Sequence, residues 1–325
     1  MNILITGGVG FIGSNTAINF SKKNQNQITL VDNFSRANVD KNAEFLKKNY
    51  PGIKIIKSDV GNLKNYKKDL NKADVVIHLA GQTAVTTSVS NPAIDFNSNL
   101  KSGFLLLNEI RKSNPQAIFI YSSTNKVYGD VPSPTRTQLS SGFDETTPLN
   151  FISPYGCSKG AFDAYALDYH RIYGLKTVVF RQSCIYGKRQ FGVEDQGWVA
   201  HFSKQFLFRK PITIFGSGRQ IRDLLYVEDL IEAYELAIKN INKISGQAFN
   251  IGGGPKNAYN LITVIKQLEK VYGHKVKIIY KKQRPGDQDF YVSNNKKLKD
   301  KLHWQAKTDF KAGIKELINW QKDNL

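Results

Sequence analysis

The sequence has few cysteines, no long apolar run and fewer acidic than basic residues. Only Cys157 and Cys184 occur among 325 residues, which excludes a disulfide framework and favours reduced thiols in a cytoplasmic protein. No stretch of 18 or more apolar residues is present, so we predict no membrane-spanning helix. No basic residue precedes the first apolar stretch, which indicates a buried N-terminal strand and not a signal peptide.

The shortage of acidic residues leaves a strongly basic chain, with 27 Asp and Glu against 46 Lys and Arg and a formal charge of +19. Such an excess can mark nucleic-acid binding. The lysines, however, occur as scattered pairs, with no long basic block and no interleaved aromatic residues. We therefore expect no nucleic-acid partner, and we interpret the charge as an aid to capturing an anionic small substrate.

The first half of the chain alternates short strands with helices. Strand patterns occur at 3–6, 28–31, 53–56, 75–79, 117–121 and 177–180, and helical patterns at 11–20, 41–48, 92–111 and 155–173. Strands that are apolar on both faces and separated by helices indicate a parallel sheet covered on both sides. We predict an α/β fold with a doubly wound parallel sheet in residues 1–181 and a smaller lobe in 182–325. Residues 227–241 are expected to return and pack on the first domain.

A glycine-rich loop follows the first strand and opens the first helix, with Gly7, Gly10 and Gly13 at intervals of three residues. Glycines permit a tight turn there, and they let backbone amides approach a pyrophosphate at the positive end of the helix. The spacing departs from G-x-G-x-x-G and is typical of short-chain dehydrogenases. We therefore predict a Rossmann-type dinucleotide site.

Acidic residues after the second and third strands indicate which cofactor the site binds. Asp32 ends the second strand at the distance where a carboxylate accepts a hydrogen bond from a ribose 2′-hydroxyl, and its charge repels a 2′-phosphate. This favours NAD over NADP, although Arg36 nearby is able to pair with a phosphate. Asp59 and Val60 after the third strand either contact the adenine or cap the strand end. His78 in the fourth strand is interpreted as a packed histidine and not a catalyst.

Tyr155 and Lys159 lie on one face of a helix, with their roots about 6 Å apart. A free phenol has a pKa of about 10, too high for a base at neutral pH. A nearby ammonium and the positive charge of a nicotinamide both favour the phenolate. Thr124 follows a mid-chain strand and is able to hold the reacting sugar hydroxyl. Together with the glycine loop, these residues predict an enzyme that transfers hydride.

These elements resemble the extended short-chain dehydrogenase family that acts on nucleotide-sugars, over nearly the whole chain. The matching motifs are SSTNKVYG at 122–129, RDLLYVED at 222–229, NIGGG at 250–254 and RPGD at 284–287. Within that family, the chain is most similar to the CDP-paratose (CDP-tyvelose) 2-epimerases. The matches to that subgroup are TNK at 124–126, RQSCIYG at 181–187, RQF at 189–191 and DQGWV at 195–199.

The resemblance implies a cofactor, a CDP-sugar substrate and a set of site residues. Thr124, Tyr155 and Lys159 are implied to be catalytic. With the residues already named, the implied NAD contacts are Phe11, Ile12, Asn33, Ser35, Leu79, Ala80, Gln82, Asn99, Tyr155 and Lys159. The implied substrate contacts are Thr124, Asn125, Gln182, Ser183, Arg189, Gln196, Val199, Arg222 and Arg284.

Three of these substrate contacts are arginines. Arg222 and Arg284 are candidates for clamping the pyrophosphate, because a planar guanidinium donates to two phosphate oxygens together. Arg189 is expected either to contact the sugar or phosphate or to form an ion pair within the protein. No metal site is predicted.

The resemblance leaves several functions open. Dehydratases of the family carry an Asp-Glu pair where this chain has Asn125 and Lys126, so we predict no dehydration. The leading interpretation is inversion at C2 of a CDP-hexose in the synthesis of tyvelose for a cell-surface polysaccharide. The alternatives are a UDP-glucose-type 4-epimerase, a CDP-glucose 2-epimerase, or a non-catalytic dinucleotide-binding module associated with RNA. A homo-oligomer, either dimer or tetramer, is expected to pair through residues 92–111 and 155–173.

Overall fold

The computed structural model describes residues 1–23, 25–131 and 134–325. Its strands are β1 (Asn2–Thr6), β2 (Gln27–Asp32), β3 (Lys54–Lys57), β4 (Val75–His78), β5 (Ile118–Thr124), β6 (Lys176–Gln182), β7 (Cys184–Tyr186), β8 (Ile212–Phe215), β9 (Ile221–Tyr226), β10 (Gln247–Ile251), β11 (Ala258–Asn260), β12 (Ile278–Lys281) and β13 (Phe290–Tyr291). The α-helices are α1 (Phe11–Ser21), α2 (Val39–Asn49), α3 (Lys67–Lys72), α4 (Val85–Ser90), α5 (Pro92–Asp95), α6 (Ser102–Ser113), α7 (Arg136–Ser141), α8 (Ser153–Tyr173), α9 (Trp198–Leu207), α10 (Val227–Lys239), α11 (Ile241–Ile244), α12 (Leu261–Tyr272), α13 (Lys296–Leu302) and α14 (Phe310–Asn324).

A parallel sheet of seven strands forms the centre of the protein, in the order β10-β6-β5-β4-β1-β2-β3. The chain runs outward from β1 to β3 and then crosses back to β4 on the other side of β1. The carboxyl ends of β1 and β4 therefore border the crevice in which doubly wound sheets bind their ligands. The predicted α/β Rossmann-type fold is confirmed.

Apolar side chains cover both faces of this sheet. Ile3 and Ile5 of β1 pack into one buried cluster and Leu4 packs into the opposite one, because successive side chains of a strand point to opposite faces. Helices α1, α2 and α10 contribute to the first cluster, and α6 and α8 to the second. Burial on both faces explains why the strand sequences are continuously apolar.

A smaller lobe lies beyond the carboxyl edge of the sheet. Its central strand β9 pairs antiparallel with β11 and parallel with β13 and β7, and β8 pairs with β12. Helices α9, α12 and α14 pack around it in a third apolar cluster. The lobe holds the loops that face the end of β5.

Parts of the second half of the chain belong to the first sheet. Helix α10 packs against α1 in the core beneath the sheet, and β10 adds the seventh strand beside β6. The sequence pattern did not predict β10. The proposed boundary between 181 and 182 falls at the end of β6, and the division into 1–181 and 182–325 stays a prediction.

The segment predicted as one helix at 92–111 is interrupted. A π-helical turn, Phe96–Lys101, separates α5 from α6. It contains the buried Asn99, whose Nδ2 donates to Asp95 Oδ1 at 3.1 Å and to Ser158 Oγ of α8 at 3.0 Å. The extra residue in this turn directs Asn99 toward α8. Among the described residues, no helix has the length and apolar character needed to cross a membrane.

Candidate active site

The loop between β1 and α1 has the shape of a phosphate cradle. Gly7 adopts a φ of +68°, and a Cβ there would lie 2.8 Å from Ala80 N, so only glycine fits. A Cβ on Gly10 would meet only Gly7 O, at 3.1 Å, whereas one on Gly13 would lie 2.3 Å from the same oxygen. Helix α1 has no side-chain cap and no acidic residue in its first turn. Its backbone N–H groups are therefore open to an anion, which fits the pyrophosphate of NAD.

Asp32 lies at the carboxyl end of β2, beside this loop. Its Oδ2 accepts from Val9 N at 3.2 Å and its Oδ1 from Phe34 N at 2.9 Å, and each oxygen keeps a lone pair for a ribose hydroxyl. Burial raises the pKa of Asp32, while the backbone donors and Arg36 lower it. Arg36 donates to Thr83 Oγ1 at 2.5 Å. In this position Arg36 spans the cofactor side of the crevice.

The residues predicted to contact adenine form a small network beyond β3. Asn33 Nδ2 donates to Asp59 Oδ2 at 3.3 Å, and Ser35 N donates to Asn33 Oδ1 at 3.0 Å. Asp59 Oδ1 also accepts from Gly61 N at 2.9 Å, as a cap of the turn does. Val60 is buried. These hydrogen bonds cap the turn, and the adenine contact stays a prediction.

The predicted contacts after β4 lie at the point where the strand order reverses. Leu79 N donates to Thr6 O at 3.1 Å and Ala80 N to Thr6 Oγ1 at 3.4 Å. Asn99 Nδ2 donates to the Gln82 carbonyl at 3.1 Å. Within the described part of the chain, Asn99 Oδ1 is buried without a hydrogen-bond partner, which leaves an acceptor beside the catalytic helix.

His78 lies in β4, close to the catalytic residues but fully buried. Its Nδ1 shares a hydrogen bond of 2.7 Å with Thr6 Oγ1, and its ring stacks on Tyr121 with 5.8 Å between centroids. Burial, with a smaller effect from Lys159, lowers the pKa of His78 to about 3. His78 is thus a neutral packing residue.

Thr124, Tyr155 and Lys159 meet at the carboxyl end of β5. The Thr124 hydroxyl lies close enough to the Tyr155 phenol to lower its pKa. Lys159 Nζ donates to Ser122 O at 2.5 Å and lies 4.6 Å from the centroid of the Tyr121 ring. One helical turn separates Tyr155 from Lys159 in α8, so both side chains face the strand end.

Burial sets the protonation of this group. It raises the pKa of Tyr155 to about 12, against the opposing effects of Thr124 and Arg36. It lowers the pKa of Lys159 to about 7, against the carboxylates of Asp163 and Asp95, which raise it. The phenol is therefore protonated near neutral pH, and its use as a base needs additional positive charge beside it.

A cavity of about 350 Å³ separates these residues from the smaller lobe. It is lined by the predicted residues Phe11, Ile12, Leu79, Thr124, Asn125, Tyr155, Lys159, Gln182, Ser183, Gln196, Val199, Arg222 and Arg284. Hydrogen bonds to neighbouring residues fix several of these side chains in place. Asn125 Nδ2, for example, donates to Gln288 Oε1 at 3.0 Å, and Gln182 Nε2 donates to Tyr234 Oη at 2.6 Å.

The three predicted substrate arginines occupy different surroundings. Arg222 is 9% exposed and donates to two carbonyls, one of them Ile221 O at 2.7 Å. Arg284 pairs with Glu194 and Asp195, each at 3.1 Å. Arg189 stacks on the Phe45 ring of α2, 3.7 Å from its centroid, and does not line the cavity. The structure brings Arg222 and Arg284 to the cavity but does not bring Arg189 there.

Sequence reasoning missed several residues of the site. Lys126, Trp198 and Phe215 line the cavity, and Phe215 stacks under Arg284, 3.5 Å from its guanidinium carbon. Asp163 lies one turn beyond Lys159 and forms a buried ion pair with Arg181. The spacing of Asp163 from Lys159 was a readable signal, because residues four apart share a helix face. Phe215 carried no such signal, since its position depends on the second lobe.

Comparisons with known proteins agree with this geometry. Residues 3–252 match the model of the NAD dependent epimerase/dehydratase family. The chain is 40% identical to CDP-paratose 2-epimerase of Salmonella typhi, covering 98% of this chain and 99% of that protein. It is 34% identical to a putative UDP-glucose 4-epimerase of Methanocaldococcus jannaschii, covering 99% of each.

A solved structure of a nucleotide-sugar epimerase has the same fold as this chain. The UDP-glucuronic acid 4-epimerase of Bacillus cereus, in complex with UDP-glucuronic acid and NAD, superposes with a TM-score of 0.89 at 28% identity, covering 99% of each chain. The glycine cradle and the Thr124, Tyr155 and Lys159 group fit the NAD dependence of the matched family. The chain therefore belongs to the NAD-dependent epimerase/dehydratase family, whose members act on nucleotide-sugars.

Proposed function

We propose that this enzyme inverts C2 of a CDP-hexose, converting CDP-paratose into CDP-tyvelose by oxidation to a 2-keto sugar and reduction on the opposite face. The observation that carries the proposal is the site at the end of β5. There Thr124, Tyr155 and Lys159 face a cavity whose neighbouring positions hold Asn125 and Lys126, and not a pair of carboxylates. The relative of 40% identity, a CDP-paratose 2-epimerase, supports the choice of sugar and base.

The chemistry of a 3-deoxy sugar favours direct oxidation at C2. A ketone at C4 would acidify the hydrogens on C3 and C5 but leave the C2 hydrogen unactivated. A 3-deoxyhexose such as paratose has no C3 hydroxyl to oxidise. Oxidation of the C2 hydroxyl is therefore the simplest route to inversion at that carbon.

The chain's own residues handle the proton. Thr124 orients the C2 hydroxyl, and Tyr155 takes its proton as the carbon is oxidised. When bound, NAD supplies the hydride acceptor, the later hydride donor and a positively charged ring. Lys159, with a pKa of about 7, favours the phenolate in its protonated form. Tyr155 then returns the proton to the new hydroxyl.

Inversion requires the 2-keto sugar to turn within the cavity while the nucleotide stays bound. Arg222 and Arg284 line the same cavity as the catalytic group and are our candidates for anchoring the pyrophosphate. For Arg284 this means exchanging Glu194 and Asp195 for phosphate oxygens. A charge-assisted bidentate contact is strong enough to hold the nucleotide during that rotation.

We also infer a homo-oligomer that pairs through α8. Tyr165, Ile172 and Tyr173 of this helix are 43%, 57% and 50% exposed, and exposed apolar surface of this kind is typical of protein interfaces. We further infer that the enzyme works in the cytoplasm. Its product is expected to be used in the synthesis of a cell-surface polysaccharide.

A UDP-glucose-type 4-epimerase is the second candidate, because the relative of 34% identity carries that description. Both reactions use the same oxidising residues and differ in which carbon meets Tyr155. The enzyme should be tested on CDP-paratose, CDP-glucose and UDP-glucose, with NMR identification of each product. Inversion of UDP-glucose at C4 with no reaction of CDP-paratose would replace the proposed function.

The route is tested with CDP-paratose that carries deuterium at C2. The label is expected to remain at C2 of the product, and no deuterium should enter from heavy water. Solvent deuterium at C2 would show deprotonation at carbon and contradict oxidation and reduction at that position.

A further inference from the structure

Lys126 enters the cavity from the short turn that follows β5. Its Nζ donates to Gly286 O at 2.8 Å, which uses one of the three donors of an ammonium. In the part of the chain that the structure describes, no carboxylate lies within 4.0 Å of Lys126 or of Arg222. Neither cation is therefore ion-paired, although Asp287, Glu194 and Asp195 also line the cavity, the last two paired with Arg284.

This arrangement is costly unless a ligand completes it. Burial, with a smaller effect from Arg222, lowers the pKa of Lys126 to about 8, against opposing effects led by Asp287. A desolvated ammonium with one carbonyl partner and a like charge nearby is stabilised by an anion that reaches both cations. The wall that holds Lys126 and Arg222 is therefore a site for a phosphate group.

The position of Lys126 relates this anion to the reacting carbon. Lys126 N donates to Thr124 Oγ1 at 3.3 Å and both residues line the cavity, so an anion on Lys126 lies on the wall that carries Thr124. In a nucleotide-sugar the phosphate nearest the hexose is attached at C1. C2 is bonded to C1, whereas C4 lies across the ring. A phosphate bound beside Thr124 therefore brings C2 to Tyr155 more readily than C4.

We propose that Lys126, with Arg222, binds the phosphate attached to the anomeric carbon and thereby presents C2 of the sugar to Thr124 and Tyr155. This inference rests on the proposed function for the identity of the carbon, but not for the phosphate contact. An anchor next to C1 also gives the sugar a short pivot, so C2 stays near Tyr155 when the ring turns over.

The test compares CDP with CMP, because only CDP carries the second phosphate. The enzyme with its bound NAD is titrated by calorimetry as wild type, Lys126→Met and Lys126→Arg, with Lys282→Met as a control that removes an exposed positive charge. Lys126→Met should bind CDP about 10- to 100-fold more weakly, with CMP affinity unchanged. Lys126→Arg should restore most of the CDP affinity, and Lys282→Met should bind both nucleotides like wild type.

Two results would overturn the inference: Lys126→Met binding CDP as tightly as wild type, or losing CDP and CMP affinity equally. Bound NAD content and the melting temperature show whether each variant is folded, and Lys126→Gln, which also removes the charge, replaces Lys126→Met if Lys126→Met is not folded. Wild-type turnover of CDP-paratose is measured separately. If CDP-paratose is turned over but Lys126→Met binds CDP like wild type, this inference is wrong while the proposed function stands. If only UDP-glucose reacts, at C4, the proposed function fails and the selection of C2 fails with it.

Discussion

At the scale of single residues, the site depends on a phenol that the fold alone keeps protonated. The pKa of Tyr155 is raised to about 12 mainly by burial, and the pKa of Lys159 is lowered to about 7 by the same effect. Both shifts work against the charged pair that base catalysis requires. In the proposed mechanism, we expect a bound cofactor with a positively charged ring to lower the pKa of Tyr155 and so to favour the phenolate.

Replacing Tyr155 by Phe should abolish most turnover without unfolding the protein. The ring still packs in α8, but no group remains to take the proton of the sugar hydroxyl. Because general acid–base groups contribute on the order of 10²–10⁴-fold in rate, the turnover number should fall by that factor while bound NAD content is unchanged. Tyr165→Phe, at an exposed tyrosine of the same helix, is the matched control. Near-wild-type turnover of Tyr155→Phe would assign the base to another residue.

His78 should make the fold sensitive to acid. Its pKa is about 3 in the native protein and about 6.5 in the unfolded chain, so only the unfolded state takes up the proton between these values. Stability is then lost as pH falls below 6.5, by up to about 1.4 kcal/mol per pH unit. His78→Asn keeps a partner for Thr6 and removes the titration. Urea unfolding between pH 4 and pH 6.5 gives the free energy of unfolding at each pH. This free energy should fall less steeply with decreasing pH in the variant than in wild type, and equal pH dependences would refute the assignment.

At the scale of elements, the turn between β1 and α1 separates the demands of folding from those of binding. The position where a Gly13 Cβ would lie is occupied by the Gly7 carbonyl, 2.3 Å away, and by Gly8 Cα, 2.8 Å away. The corresponding position at Gly10 is nearly open, and its φ of −67° suits any residue. One glycine thus lets the helix approach the strand, and the other leaves room for a ligand.

These two glycines should respond differently to alanine. Gly13→Ala forces the turn apart and should cost about 1–3 kcal/mol of folding free energy, or more, visible as a lower melting temperature. Gly10→Ala should melt within a few degrees of wild type but retain less NAD after purification, because the added methyl lies where the pyrophosphate approaches. Full NAD content in a stable Gly10→Ala protein would show that the cofactor lies elsewhere.

At the scale of the whole molecule, a buried polar network joins the catalytic strand and helix to the second half of the chain. Arg181 of β6 pairs with Asp163 of α8 through two bonds, at 3.0 and 3.1 Å, and donates to Tyr128 Oη at 3.0 Å. Ser123 Oγ donates to Asp163 at 2.8 Å, and Tyr128 Oη donates to Asn250 Oδ1 of β10 at 2.7 Å. The network fixes the end of β5 between α8 and the seventh strand.

Asp163→Asn should destabilise the protein far more than a matched change at the surface. The Arg181 and Asp163 side chains are 6% and 0% exposed, and removing one charge of a buried pair costs about 3–5 kcal/mol. Asp168→Asn breaks an exposed pair with Arg171 on the same helix and should cost no more than about 1 kcal/mol. Denaturant unfolding measures both. Equal losses would mean that the buried pair contributes little.

The excess of positive charge is also a property of the whole molecule. The matched family and the relatives are epimerases and dehydratases. The protein is therefore interpreted as an enzyme and no longer as a non-catalytic module associated with RNA. The total charge of +19 includes residues at the candidate site. Lys126, Arg222 and Arg284 line one cavity together with Glu194, Asp195 and Asp287, and of these cations Lys126 and Arg222 have no ion pair among the described residues, which leaves them to attract an anionic substrate.

The sequence by itself determined the fold class, and it predicted the group of Thr124, Tyr155 and Lys159 that the structure brings together at one cavity. Alternating apolar strands and helices are local patterns, and so are the glycine spacing and the interval between Tyr155 and Lys159. Such patterns are readable because strand and helix periodicities decide which side chains share a face.

Only the tertiary structure decided which distant segments meet in the cavity. Lys126 contacts the carbonyl of Gly286, which lies 160 residues away, and β10 joins a sheet whose other strands all lie before residue 183. Arg189 was a reasonable substrate contact by sequence, yet the fold directs it onto Phe45. These contacts depend on how the chain crosses between its two lobes, and no local periodicity records that path.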